Sequence, residues 1–233
     1  MESWRCIVVG RLAFLLVAVA LLGFVSACSD AGDEVKPAPA DTDSPDASTI
    51  SLLLPDAWGL IQACSGAAES TRLLTTGDPV ALHRLQDRPS ASSAWDMVRG
   101  DAEEFLVPIM RGDRAVAEFG VRRVAASQHD YEVVWAGEPA GEWTAIAESV
   151  SRLRKRLGDG LETRVVSSSW TAVVGRSANG ATGVVFCLPR LGFADPRLTQ
   201  EEQRELGAIR EGYVYLAVDG ANAMRRAFPI AWR

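Results

Sequence analysis

The chain has 233 residues, a formal net charge of −6 at pH 7 and 48% hydrophobic residues, which is enough apolar material for a domain with a sizeable core. From Ile50 onward, 23 acidic residues stand against 21 basic ones. That near-neutral balance lacks the basic footprint of a nucleic-acid-binding domain. The 22 arginines against two lysines point to a GC-rich genome rather than to a partner.

At the N-terminus, Arg5 and Arg11 accompany an apolar run from Leu12 to Val25, the charged-then-apolar order of an export signal. The run is shorter than the roughly 20 apolar residues that span a bilayer, and it ends in small residues and a cysteine. Val25-Ser26-Ala27-Cys28 resembles the lipobox of bacterial lipoproteins, with Val in place of the commoner Leu three positions before the cysteine. The resemblance covers about the first 28 residues. It implies a signal peptide over 1–27, lipid attachment at Cys28 and a bilayer as partner through that lipid. Ser29 is not the aspartate associated with inner-membrane retention, so in a two-membrane envelope the resemblance implies the outer membrane, and otherwise the outer face of the cell membrane. The competing reading is a secretory signal cut after Ala27, since Val25 and Ala27 also fit a small-x-small site.

Residues 28–49 hold Pro37, Pro39 and Pro45 and almost no large apolar residue, too little to bury for folding. Asp30, Asp33, Glu34, Asp41, Asp43 and Asp46 oppose only Lys36 there. The segment is expected to be an acidic tether with a reach of about 25 Å. Asp41-Thr-Asp43-Ser-Pro-Asp46 lacks the glycine and distal glutamate of a calcium loop, and no metal or cofactor is expected anywhere in the chain.

From Ile50 to Arg233 the chain is expected to form a single domain. Helical patterns are expected at Pro55 to Cys64, with proline suited to the first turn, and at Ala91 to Arg99. Strands are expected at Glu104 to Met110, Ala115 to Val124 and Tyr131 to Ala136 from β-branched and aromatic runs between turn residues. Arg111-Gly112-Asp113 at the first turn matches an adhesive tripeptide, but these are ordinary turn residues. The clearest element is a helix over Glu142 to Leu157, because Trp143, Ile146, Ala147, Val150, Leu153 and Leu157 share one face. Arg152, Arg154, Lys155 and Arg156 suit its negative end, and Gly158 its cap. Strands follow at Glu162 to Ser168, Thr171 to Arg176 and Gly183 to Leu188. Thr199-Gln-Glu-Glu202 forms a capping box for a helix over Gln200 to Arg210. Tyr213 to Asp219 and Ala223 to Ala231 are read as a final hairpin. Short links favour antiparallel pairing, so the expected class is α+β: an antiparallel sheet with helices packed mainly on one face. A helix followed by strands, given twice, resembles two cystatin-like or PepSY-like units in outline, with no residue motif behind the likeness.

After cleavage, Cys64 and Cys187 are the two remaining side-chain thiols, and export places them in an oxidising compartment. A disulfide between them is expected, closing a loop of about 120 residues and constraining the unfolded chain by about 4 to 5 kcal/mol; the alternative is two separate buried thiols. No nucleophile elbow, S-x-x-K, phosphate loop or zinc-helix spacing occurs. Adjacent Glu103 and Glu104 point to opposite faces of a strand and make a poor acid-base pair. Of the six tryptophans after Cys28, Trp58, Trp95, Trp135, Trp143, Trp170 and Trp232, most are expected in the core. The expected function is a non-catalytic, membrane-anchored envelope module that binds a protein, peptide or glycan. The alternative is an extracytoplasmic hydrolase whose spatially assembled site uses His83 or His129, for instance with Ser167, Ser168 or Ser169.

Overall fold

The computed structural model describes residues 5–7, 45–65, 71–86, 91–124, 131–189 and 197–232. They form an α+β fold built on one mostly antiparallel sheet with four α-helices. The strands are β1 (Arg5–Ile7), β2 (Thr75–Thr76), β3 (Val80–Leu85), β4 (Val98–Arg111), β5 (Arg114–Arg123), β6 (Tyr131–Gly137), β7 (Glu162–Ser167), β8 (Trp170–Arg176), β9 (Thr182–Pro189) and β10 (Val214–Leu216). The helices are α1 (Ala47–Ser65), α2 (Gly141–Leu157), α3 (Gln200–Gly207) and α4 (Ala217–Ala227). Across the sheet the order is β1-β6-β5-β4-β3-β7-β8-β9-β10, with β2 paired to β4. Two antiparallel meanders meet where β3 and β7 run parallel, Leu82 beside Val165 and His83 beside Val166.

Helix α2 makes that junction possible, carrying the chain back from β6 across the sheet to β7. Its buried Ile146 and Leu153 pack on Leu82, Leu106, Val165, Val173, Val185 and Cys187. The other three helices take the opposite face. Ile50, Leu54, Ala57, Trp58 and Ile61 of α1 cover Phe105, Val107, Ile109, Phe119 and Val121 of β4 and β5. Leu206 of α3 and Ala221, Ala223, Met224 and Ala227 of α4 cover Val166, Ala172, Val174, Val184 and Phe186. Alternation along the strands explains the division: Val173 and Val185 point to α2, and their neighbours Val174 and Phe186 to α4.

Several elements differ from expectation. The first helix begins at Ala47, inside the segment assigned to the tether, because Asp46 accepts from the Thr49 amide at 2.7 Å and the Ser48 hydroxyl at 2.6 Å and so caps it. Pro55 therefore lies within the helix, on its exposed side. Ala91 to Arg99 is not a helix; a single 3-10 turn, Trp95–Met97, leads into β4. Strand β3, which joins the two meanders, was not expected. The final hairpin is also not formed. Only Val214–Leu216 is strand, and Ala217–Ala227 is helical, its small residues Gly220, Ala221, Ala223 and Ala227 buried at helical spacing against the sheet. Among the described residues no helix is long and apolar enough to cross a membrane.

Candidate functional site

Cys28, His129 and most of residues 1–44 lie outside the described residues, apart from Arg5–Ile7 at the β6 edge. The expected Cys64–Cys187 disulfide is not formed. Cys187 is a free thiol buried on β9 on the α2 face; it donates to the Thr171 carbonyl at 3.3 Å, and burial pushes its pKa up to about 12. Cys64 lies in the last turn of α1, which packs on the other face of the sheet. The sheet separates the two sulfurs.

His83 does not assemble with the serines. It lies beside Val166 and so faces away from α2, whereas Ser167 donates at 2.9 Å to Glu142 of α2 and Ser169 donates at 2.5 Å to the Ala227 carbonyl. The His83 Nδ1 is buried with no hydrogen-bond partner, and burial first, then the nearby Arg164 guanidinium, lowers the pKa of the ring. His83 is a half-buried strand residue. Glu103 and Glu104 are engaged with Arg84 and Arg122 respectively. Among the described residues no group of three or more His, Cys, Asp or Glu has metal-binding geometry.

Two polar constellations serve the architecture. Ala140 offers no side-chain cap to α2; instead buried Glu118 on β5 accepts the free amides of Glu142 at 3.2 Å and Trp143 at 2.8 Å, placing negative charge at the positive helix end. Buried Glu142 in turn accepts the hydroxyls of Ser167 and Thr171, the latter at 2.6 Å. On the other face, the indole of Trp95 lies between the guanidinium groups of Arg164 and Arg176, at 4.0 and 4.6 Å from its ring centroid. Arg176 is also held by Glu162 at 2.7 Å. Trp58, Trp95 and Trp170 are core residues, and Trp135 and Trp143 are half-buried.

A different kind of place lies at the far end of the sheet. Around β10 runs a groove of about 770 Å³, lined by Tyr213 and all three β10 residues, by Arg156 at the end of α2, and by Asp219, Asn222, Arg225 and Arg226 of α4. Because α2 and α4 cover opposite faces, its cations reach it from both sides of the strand. Two of the six large exposed apolar side chains among the described residues, Tyr213 and Leu216, line the groove.

The groove's walls are fixed. Tyr213 and Tyr215 meet edge to face at 4.8 Å, Tyr215 lies edge-on to Phe186 at 5.8 Å, and its hydroxyl accepts from the Arg210 amide at 2.9 Å. Arg225 donates to Asn222 at 2.9 Å and to the Ala91 carbonyl at 2.5 Å. The Nε of Arg226 is buried with no acceptor. β9 approaches β10 closely enough that a side chain at Gly183 would lie 3.1 Å from Leu216 and 3.2 Å from the Tyr215 carbonyl. Of these residues only Arg156 stood out in the sequence, as part of a basic helix end. Asn222, Arg225 and Arg226 were hidden inside the expected hairpin. Compared with known proteins, the chain matches no family model, no curated protein and no solved structure at a significant level.

Proposed function

We propose that the chain is an extracytoplasmic lipoprotein whose domain binds an anionic group on a partner at the β10 groove, with Cys28 as its lipid anchor. The anchor rests on the sequence Val25-Ser26-Ala27-Cys28 and the charged-then-apolar segment before it. The observation that carries the binding reading is the groove itself: a concave site with convergent arginines, two tyrosines and the exposed Leu216. Arg156 and Arg226 have no carboxylate partner among the described residues. A guanidinium left in this way presents a planar fork suited to carboxylate or phosphate oxygens. Cleavage before Cys28 removes Arg5–Ile7 and leaves β6 as the opposite edge of the sheet.

Two measurements test the two parts separately. A fatty-acid label is expected on the wild-type protein and absent from Cys28→Ala; a wild type that takes up no label removes the anchor. A photo-crosslinking amino acid in place of Tyr213 is expected to give a reproducible adduct in intact cells, whereas the same probe in place of Arg111, on the distant β4–β5 hairpin, gives none. Equal adducts at both positions, or none at Tyr213, sink the groove as the binding site.

A further inference from the structure

We propose that the occupant of the groove is an acidic peptide segment in extended conformation, added as a strand to the open edge of β10. This rests on the groove being the ligand site and names what fills it. Two observations converge. The sheet order ends at β10, which pairs with β9 on one side only, Val214 with Val185 and Leu216 with Gly183. Among the described residues no strand pairs with its outer edge, and an unpaired edge presents backbone donors and acceptors that template another strand.

The second observation is where the charge lies. Side chains of an added strand alternate between the two faces of the sheet, and here each face supplies a cation: Arg156 at the end of α2 on one, Arg225 and Arg226 of α4 on the other. Asp219 is the one carboxylate among the lining residues. An acidic side chain at either parity therefore meets a guanidinium, while apolar side chains meet the exposed Tyr213 and Leu216. A lone phosphate or a lipid headgroup would use the arginines and leave the strand edge unused; a peptide uses both. The three residues of β10 extend over about 10 Å, so the docked segment is short, and its affinity depends heavily on the charge pairs.

The test measures anisotropy of a fluorescein-labelled Val-Glu-Val-Glu-Val peptide with the purified mature protein. Saturable binding is expected, with no binding of the Val-Lys-Val-Lys-Val counterpart over the same range. Methylating the backbone nitrogens that face β10 is expected to weaken binding at least tenfold, because it removes edge pairing and keeps the charges. Arg156→Glu, a change at an exposed helix end, is expected to weaken it about tenfold, and Arg226→Lys less. If methylated and parent peptides bind alike, strand addition is overturned while an anionic site at the groove stands. Phosphatidylglycerol vesicles or inorganic phosphate binding in an Arg156-dependent way, with no peptide binding, would reassign the site to a different anion and also overturn the proposal. If none of these probes responds to Arg156→Glu, the groove reading fails with it.

Discussion

The two halves of the sheet are built alike, a helix followed by an antiparallel run of strands, and differ in what covers them. In the first half, α1 covers one face of β4, β5 and β6 while α2 reaches only Leu106 of β4 and Glu118 of β5 on the other, and β6, flanked by the short β1, has a single fully buried residue. In the second half, α2 lies on one face and α3 with α4 on the other, so that six of the seven residues of β8 are buried. Ala172-Val-Val174 and Val184-Val-Phe186 are continuous apolar runs, as strands covered on both faces require, and the first half matches them only at Phe105 to Ile109, where α1 and α2 face each other across β4. The extra layer also creates the groove. Helix α4 turns back directly from β10 and places Asn222, Arg225 and Arg226 beneath the edge that α2 overhangs with Arg156. The better-covered half is thus the one that carries a candidate binding surface.

The largest expected effects test whether that division is real. Phe186 is fully buried and touches the rings of Trp170, Tyr215 and Phe228, and Phe186→Ala is expected to cost about 3 to 5 kcal/mol in chemical denaturation. Phe105→Ala, under α1, is expected to cost about as much. The two separate on ligand binding: loss of Phe186 removes the support of Tyr215 and weakens binding at the groove, and loss of Phe105 leaves it intact in the folded fraction. Equal loss of binding in both variants would mean the halves are not independent in this sense.

Next in size is Gly120→Ala on β5. A Cβ there would lie 2.2 Å from Nε1 of Trp135, which lies directly across on β6. The indole must shift, at a cost of about 1 to 3 kcal/mol, read as a lowered denaturation midpoint with the groove unaffected.

Smaller effects come from pH. His83 titrates below its ordinary 6.5 because it is buried and lies near Arg164, so below pH 6.5 the unfolded chain binds protons that the folded one resists. Its contribution is present above that pH and is lost as pH falls. His83→Gln is expected to flatten the fall in stability between pH 7.5 and 5 relative to wild type; an unchanged slope would show that the ring titrates normally. Asp46 works in a more acidic window. Its hydrogen bonds from Ser48 and Thr49 lower its pKa from 3.8 to about 2, so its capping contribution is present above pH 3.8 and lost as pH falls through 2. Asp46→Ala is expected to lower the melting temperature modestly at pH 7, and the gap to wild type should close near pH 2.

Elements that rest on a local signal could be read from the sequence. Helix α2 was legible because its stripe is regular, and α3 because Thr199 and Glu202 cap it reciprocally, as observed. The hairpin of β4 and β5 was legible from its turn. Elements whose identity depends on partners far along the chain were not. Val80–Leu85 becomes the central strand only through pairing with both β4 and β7. Tyr213 to Ala231 carries enough β-branched and aromatic residues to read as a hairpin, yet its small residues let a helix close on the sheet, a choice made by packing rather than propensity. The cysteine pairing failed for a geometric reason, since nothing in the spacing of Cys64 and Cys187 says that a sheet lies between them. The groove was illegible for the same reason, being assembled from α2, β10 and α4.

The two edges of the sheet provide the most direct test. Amide hydrogen exchange of the mature protein, with and without the acidic peptide, should show added protection at Tyr213 to Leu216 on β10 and none at Tyr131 to Gly137 on β6. Protection confined to β6, or no change at either edge while the peptide is bound, would contradict the assignment of the binding surface to the β10 end of the sheet.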